Sequence, residues 1–289
     1  MKKYRILMAC GVSLLVIGVG IMAAPHIAGF INEQRMKGTI DEFDEGIAQM
    51  YEDTDTSRLA AEIERINSST DTDYTIGDYV RDNNIKADEK SKKYDWALLS
   101  LLREQMEQYN VDLIENGQAE LNDPFSFEQP SFLLNTYSIS DNVFGHISAP
   151  SIKMDLPIYL GANQYNMNFG AVHLSYSSMP IGGRSTNSVF AAHRGYIGKI
   201  FFDNIVFLKA GDDVYITNPW EKLHYKVTET AIISPYDIEQ CYIQEGRSLI
   251  TLLTCHPYGS NEFRYMVVCE QVNEDDTIKY PPQTETDTE

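Results

Sequence analysis

Residues 249–259 read Leu-Ile-Thr-Leu-Leu-Thr-Cys-His-Pro-Tyr-Gly, an apolar run that ends on Cys255 and passes into a loop. Consecutive apolar and β-branched residues of this length predict a buried strand. A strand end is a rigid mount, and the following loop gives a reactive side chain access to solvent. A cysteine in such a run, taken alone, more often acts as a small buried hydrophobe. The segment therefore predicts a strand and leaves the role of Cys255 open.

The region around this segment, from about Asp141 onward, is rich in β-formers and apolar residues alternate with polar ones. Turn signals such as Gly182-Gly183 and Asn218-Pro219 separate the runs. Many short strands at this spacing predict a mainly β fold that closes into a barrel or a sandwich. The predicted strands are Val143–Ile147, Leu156–Leu160, Ser188–Ala192, Val214–Thr217, Leu223–Ile233, Leu249–Thr254 and Phe263–Gln271.

Two further polar side chains follow or begin predicted strands. His193 follows Phe190-Ala191-Ala192, and Arg264 stands nine residues after Cys255. A cysteine attacks as the thiolate, and a nearby histidine can take or return the proton. An arginine supplies fixed charge and donors for a developing oxyanion. No acidic third member is evident, and His173, which also precedes a polar loop, is the alternative base.

Residues 32–140 are strongly charged, and their apolar residues recur at helical spacing. The clearest helix is predicted from about Asp95 to Asn116, with Leu98, Leu102 and Leu113 on one face. Asp95 is its expected N-cap and Gly117 its expected stop. The polar stretch from about 52 to 93 is interpreted as solvated surface.

The N-terminus predicts a membrane helix. Residues 6–24 carry no charge, the uncharged run continues to Ile31, and Lys2, Lys3 and Arg5 precede it. A run of this length can cross a ~30 Å hydrocarbon layer as a helix. The basic flank is expected to stay in the cytoplasm, which places the rest of the chain outside. An uncleaved anchor is our first interpretation, and a cleaved signal peptide is the alternative.

Composition excludes several classes. The chain has 289 residues, with 42 acidic against 23 basic residues and a formal charge of −19, which argues against nucleic acid as a partner. Four cysteines are too few and too scattered for a disulfide scaffold. Cys241 and Cys269 are expected to be free thiols, although a disulfide between them remains open. No spaced ligand set predicts a metal, although calcium on this acidic surface is not excluded, and no cofactor is expected.

Thr251-Leu252-Leu253-Thr254-Cys255, together with His193 and Arg264, resembles the TLxTC signature and the catalytic His and Arg of the sortases. Sortases are cysteine transpeptidases on the outer face of Gram-positive bacterial membranes. The resemblance covers roughly residues 95–271. It implies a closed eight-stranded barrel in which Cys255, His193 and Arg264 are catalytic.

Within the family, the chain looks most like the pilin-polymerising class C enzymes. His193-Arg194-Gly195 and the Pro257-Tyr258-Gly259 segment after Cys255 match patterns of that class. Residues 122–127, here called the lid segment, resemble its lid motif. The resemblance implies that Asp123 approaches the catalytic Arg and that Phe125 covers the catalytic Cys. The chain departs from the class in having an acidic C-terminal tail instead of a second membrane helix.

The implied reaction cleaves an LPxTG-like sorting signal between Thr and Gly through a thioacyl enzyme, and transfers the acyl group to a pilin Lys amine. The expected partners are pilins or surface proteins with such signals, and the expected location is the cell membrane, single-pass, with the catalytic domain outside. The alternatives are a sortase that uses a peptidoglycan amine as acceptor and a non-catalytic pilus assembly factor. The expected organisation is an anchor at 1–31, a helical region at 32–140, the barrel at 141–272 and a disordered tail at 273–289.

Overall fold

The computed structural model describes residues 2–53, 56–70, 75–83, 85, 94–139, 141–196 and 200–281. Eight strands close into a barrel in the order β1-β2-β3-β4-β7-β8-β6-β5, which confirms the predicted architecture. Their bounds are β1 Val143–Ala149, β2 Met154–Leu160, β3 Ala171–His173, β4 Thr186–Ala191, β5 Asp213–Thr217, β6 Lys222–Ile233, β7 Ser248–His256 and β8 Phe263–Gln271.

Strand β3 is the one strand that the sequence pattern did not predict. It is only three residues long, so it is too short to display an alternation of period two. It pairs in parallel with β2 and antiparallel with β4, and it therefore joins the two halves of the sheet into a closed barrel.

Strands β4 and β7 form a parallel pair at the centre of the barrel wall. Every residue of β4 is buried, and so are residues 248–254 of β7. Strands that are covered on both faces carry continuous apolar runs and not an alternating pattern. This explains why residues 249–253 are almost uniformly apolar, whereas β5 alternates between buried and half-buried positions.

Helix α1, Lys2–Asp53, extends well beyond the predicted anchor. It contains a stretch that is long and apolar enough to cross a membrane, and none of that stretch is buried in the protein. The helix then continues without a break onto β1 and β2. Its buried face consists of Met36, Ile40, Phe43 and Met50, spaced by four, three and seven residues. The apolar run and the first packed element of the domain are thus one helix.

Three further helices precede the barrel and a fourth lies within it: α2 Thr56–Thr70, α3 Ile76–Asp82, α4 Trp96–Asn116 and α5 Gln164–Met167. Helix α4 confirms its predicted bounds. The Asp95 carboxylate accepts a hydrogen bond from Leu98 N at 3.1 Å, and Gly117, at φ +79°, ends the helix. Its apolar face, with Leu99, Leu102 and Met106, belongs to the same core as the barrel.

The polar stretch predicted at 52–93 contains α2 and α3; residues 54–55, 71–74, 84 and 86–93 lie outside the described residues. At the other end of the chain, the expectation of a wholly disordered tail from 273 needs correction. Lys279 N donates to Gln271 O at 3.0 Å and Val272 pairs with Ile278, so residues 273–281 fold back as a turn. The backbone hydrogen bonds of this turn offset the conformational entropy that a polar segment loses when it becomes ordered. Residues 282–289 lie outside the described residues.

Candidate active site

The strand register brings Cys255, His193 and Arg264 to one end of the barrel. Ala191 of β4 lies opposite Leu253 of β7 in the parallel pair. His193 follows Ala191 by two residues and Cys255 follows Leu253 by two, so both lie at the same end of the pair. In the antiparallel pair of β7 with β8, Cys255 lies directly opposite Arg264. The sequence could propose this meeting only if those strands were neighbours, and they are.

Cys255 is half-buried and is a free thiol. Burial raises the pKa of the Cys255 thiol; the Arg264 charge opposes that rise, Asp123 adds to it, and Arg194 opposes it. The resting group is therefore held toward the neutral thiol. Movement of Asp123 away from the site would favour the thiolate, because it removes a negative charge.

Arg264 is among the most deeply buried large side chains of the protein, with 1% of its surface exposed. Its Nε donates to Asp123 Oδ1 at 2.6 Å, and its Nη2 donates to Asp123 Oδ2 at 2.7 Å. Its Nη1 donates to the carbonyl oxygens of Asn261 and Phe263 at 2.8 and 2.9 Å. The backbone contacts fix the guanidinium plane, and the Asp123 carboxylate occupies the edge formed by Nε and Nη2.

The lid segment lies against these groups. Asp123 is buried, and its carbonyl oxygen accepts hydrogen bonds from Ser126 N and Phe127 N at 3.2 and 3.1 Å, which forms a tight turn. The ring of Phe125 lies 4.9 Å from the guanidinium carbon of Arg264 and 6.3 Å from the His193 ring. Phe125 thus contacts two of the three residues that the sequence singled out. Asp123 pairs with Arg264, while the cover of Cys255 by Phe125 stays a prediction.

His193 lies on the loop that follows β4, half-buried at the mouth of the site. Its ring stacks on Tyr196 at 4.8 Å with an angle of 24° between the planes. Its carbonyl oxygen accepts a hydrogen bond from Phe202 N at 3.0 Å. One residue earlier, the Ala192 carbonyl accepts a bond from Thr254 Oγ1 at 2.7 Å, which ties this loop to the strand of Cys255.

His173, the alternative base, lies on β3 and is only 1% exposed. Its Nε2 lies 2.8 Å from the carbonyl oxygen of Ser178 and 3.1 Å from Ser177 Oγ. Burial lowers the pKa of His173 to about 4, so the imidazole is neutral. These contacts fix a polar loop inside the protein and make His173 a structural residue of the interior.

Sequence reasoning gave no role to Arg194, which contacts the Cys255 loop. Its Nη1 lies 3.3 Å from His256 Nδ1 and 3.5 Å from the Cys255 carbonyl oxygen. The one feature of the sequence that could have indicated this contact is that Arg194 directly follows His193. A long cationic side chain beside a candidate base can reach the strand next to it.

Among the described residues, one group has the composition of a metal site: Asp213, His224 and Asp276. The ammonium of Lys226 already lies there, 2.8 Å from Asp213 Oδ1 and 3.3 Å from Asp276 Oδ2. This arrangement is a salt-bridge cluster that joins β5, β6 and the terminal turn. Cys241 and Cys269 are buried free thiols.

Comparison with known proteins decides the family. The profile of the sortase domain matches residues 147–272. The structure of sortase C-1 from Actinomyces oris is 34% identical, with a TM-score of 0.54; the match covers 59% of this chain and 96% of that one. The chain belongs to the sortase family.

Two other relatives of this sortase illustrate the range of the match. A pilus-related sortase C of Group B Streptococcus is 29% identical, with a TM-score of 0.57, over 68% of this chain and 98% of that one. Sortase A of Bacillus anthracis is 28% identical over 160 residues, which is 55% of this chain and 74% of that protein. The protein is a sortase transpeptidase, and its structural relatives include class C sortases.

Proposed function

We propose that this sortase polymerises pilins. It cleaves an LPxTG-like sorting signal between Thr and Gly and transfers the new acyl group to a Lys amine of a second pilin. The observation that carries the proposal is the Asp123–Arg264 pair, in which the lid segment fills the candidate site. The similarity to class C sortases, among them the pilus-related enzyme of Group B Streptococcus, supports the same function.

In the proposed first step, the Cys255 thiolate attacks the Thr carbonyl and the C–N bond to Gly breaks. His193 gives its proton to the leaving amine, and Arg264 donates hydrogen bonds to the oxyanion of the tetrahedral intermediate. In the second step a neutral Lys amine attacks the thioester and forms an isopeptide bond. His193 takes the amine proton, and Cys255 is released as the thiolate.

The lid segment is proposed to keep water and other nucleophiles from Cys255 until a pilin arrives. A surface ion pair contributes at most ~1 kcal/mol, but the side chains of Asp123 and Arg264 are 2% and 1% exposed. Breaking a buried pair by removing one partner costs about 3–5 kcal/mol, because the other charge remains uncompensated. A substrate that opens the lid must therefore supply acceptors of its own to Arg264.

The proposed location is the outer face of the cell membrane, with helix α1 as the anchor. Lys2, Lys3 and Arg5 precede the apolar run, and basic residues favour the cytoplasmic side. Helix α1 continues from the apolar run to the barrel, so the catalytic domain would stand on the opposite side.

The test incubates the purified full-length enzyme with a pilin that carries its sorting signal, and examines the products by denaturing electrophoresis and mass spectrometry. A covalent ladder with a Thr–Lys isopeptide bond is expected, and Cys255→Ala should produce none. Transfer only to a peptidoglycan-type amine, with no ladder, would indicate a cell-wall-anchoring sortase. Continued ladder formation by Cys255→Ala would contradict the assignment of the nucleophile.

A further inference from the structure

Arg194 joins the loop of His193 to the end of strand β7, which carries Cys255. It follows His193 directly, and its Nη1 lies 3.3 Å from His256 Nδ1 and 3.5 Å from the Cys255 carbonyl oxygen. Because a guanidinium has only donors, Arg194 can act only as the donor in these contacts. The guanidinium carbon also lies 5.7 Å from the ring centre of Tyr258.

We propose that Arg194 is a positioning residue for acyl transfer: it fastens the loop of His193 to the peptide of Cys255 and so holds imidazole and thiol in register. The inference rests on the proposed function, since it takes Cys255 and His193 as the reacting pair. Arg194 acts through these two residues, and no contact with substrate is required of it.

The backbone beside Arg194 supports this role. Gly195 has φ +74°, and a Cβ at this position would lie 2.7 Å from the backbone nitrogen of Gly259. The loop after β4 and the loop after β7 therefore touch through their main chains. Gly195 N also donates to Asp203 Oδ1 at 3.0 Å. The backbone that carries Arg194 is thus held by the contacts of Gly195 with Gly259 and Asp203, so the guanidinium reaches Cys255 from a fixed position.

The charge of Arg194 is not neutralised by any ion pair within the described part of the chain, and its Nε is buried without a hydrogen-bond partner. By contrast, Arg103 pairs with Glu107 and Glu221. A buried donor without a partner opposes folding. An arginine kept in this state beside a candidate nucleophile points to a role in the reaction.

The charge of Arg194 acts on the Cys255 thiol together with the other charged groups around it. Arg264 on β8, Asp123 on the lid segment and Arg194 act on the Cys255 charge. The neighbouring titratable residues are His193 on the loop after β4 and His256 at the end of β7. When the lid segment opens, Asp123 leaves and Arg264 becomes available to the substrate. Arg194 then remains as the cation whose position beside Cys255 does not depend on the substrate.

The test compares Arg194→Met and Arg194→Lys with the control Arg184→Met, which removes an exposed arginine ahead of β4. Full-length enzyme in detergent is assayed with a sorting-signal peptide for kcat and KM. The pH dependence of Cys255 alkylation is measured separately, with every variant in a background of Asp123→Ala combined with Phe125→Ala so that the lid segment does not limit access. Near-UV circular dichroism checks folding.

We expect Arg194→Met to lower kcat by about 10–100-fold, the effect of a misplaced reacting group, and to leave KM within about twofold. Its alkylation midpoint should move to higher pH. Arg194→Lys should return the alkylation midpoint toward that of the parent, because the positive charge is kept. It should recover only part of kcat, because a single ammonium cannot replace the planar fork of N–H donors of the guanidinium. Arg184→Met should match the parent in both assays.

An unchanged kcat and midpoint in Arg194→Met would overturn the proposal, and a rise in KM alone would make Arg194 a substrate-binding residue instead. If Arg194→Met does not fold, Arg194→Lys decides: full kcat in that variant rejects the need for the fork. Transfer by Cys255→Ala would sink the proposed function itself. An inactive Cys255→Ala beside a normal Arg194→Met would reject only the present inference.

Discussion

Arg264 shows how little a residue's type says about its burial. An arginine is rarely fully buried unless it is paired, and Arg264 stands near the start of strand β8, next to a loop. In the structure its partner is Asp123, 141 positions away in the chain. No local pattern could predict that burial, because the pairing depends on where the lid segment lies. Only the resemblance to lidded sortases indicated it.

His193→Ala should lower the rate of peptide transfer by at least ~100-fold, the low end for a positioned acid or base. The measurement is single-turnover transfer from a sorting-signal peptide, with Cys255 alkylation confirming that the thiol is intact. A rate within a few-fold of the parent would remove His193 from the reaction.

His173→Gln should change how stability depends on pH. The folded pKa of His173 is about 4, below the ordinary value of 6.5, so between these values the unfolded chain binds more protons. The wild type should therefore lose free energy of unfolding as the pH falls from 6.5 to 4, by up to ~3 kcal/mol from this group. The variant lacks this term, and its deficit relative to wild type should shrink at low pH.

Denaturant titrations of both proteins at pH 7 and pH 4.5 measure the difference. A deficit that is equal at the two pH values would mean that His173 is not buried in the neutral form. Loss of transfer with full stability would instead restore His173 as a candidate base.

At the scale of elements, the contacts that hold the lid segment in place are proposed to control access to Cys255. The lid segment is a short turn held by Asp123, with Phe125 between His193 and Arg264. The proposed cover of Cys255 therefore depends on one ion pair and one ring. Both are side-chain contacts of a loop, so the loop can leave without breaking any strand pairing of the barrel.

Asp123→Ala combined with Phe125→Ala should raise the rate of Cys255 alkylation by at least ~10-fold at pH 7, since a loss of only ~1.4 kcal/mol from the closed state gives that factor. Removal of the Asp123 charge should also lower the pKa of the thiol and so act in the same direction. Hydrolysis of a sorting-signal peptide should rise as well.

The matched control is Phe127→Ala, which removes a ring of the same segment that is 58% exposed. This variant should alkylate at the parent rate. Equal rates in all three proteins would mean that the segment is only a turn and does not cover the site.

The elements also show what sequence reasoning could reach. Helix α4 was predicted with its caps because both signals are local: an aspartate ahead of the apolar face and a glycine after it. The sequence predicts β7 and β8 as two separate strands. It does not predict that they are neighbours, and the meeting of Cys255 and Arg264 depends on that pairing. The contact of Arg194 with Cys255 follows from the β4–β7 register, which no single segment encodes.

At the scale of the whole molecule, helix α1 joins the candidate membrane span and the barrel into one body. From Ile31 to Asp53 the helix rises by about 33 Å at ~1.5 Å per residue. Over this length its buried side chains join the core of the barrel, with Phe43 against Tyr94 and His146 at 6.0 and 6.5 Å between rings. The domain is thus held on the helix by packing, not by a flexible linker.

Phe43→Ala should lower the free energy of unfolding by about 3–5 kcal/mol, the usual cost of removing a buried aromatic ring. Thermal and denaturant unfolding of the full chain in detergent would measure it against Gln34→Ala, an exposed position of the same helix. If the two variants are equally stable, the helix does not contribute to the core, and the domain would be free to turn on its anchor.

The parallel pairing of β4 with β7 has a consequence for how this enzyme can be altered. The chain leaves the pair at Ala191 and returns at Ser248, and in between it builds β5, β6 and their connecting loops. The loop that carries His193 begins this stretch, and the hydrogen bonds of the pair hold the strand ends on either side of it. Insertions or exchanges confined to the loops that follow β5 and β6 would leave both strand ends in place. That part of the chain could therefore be exchanged without rebuilding the end of the barrel where His193 and Cys255 meet.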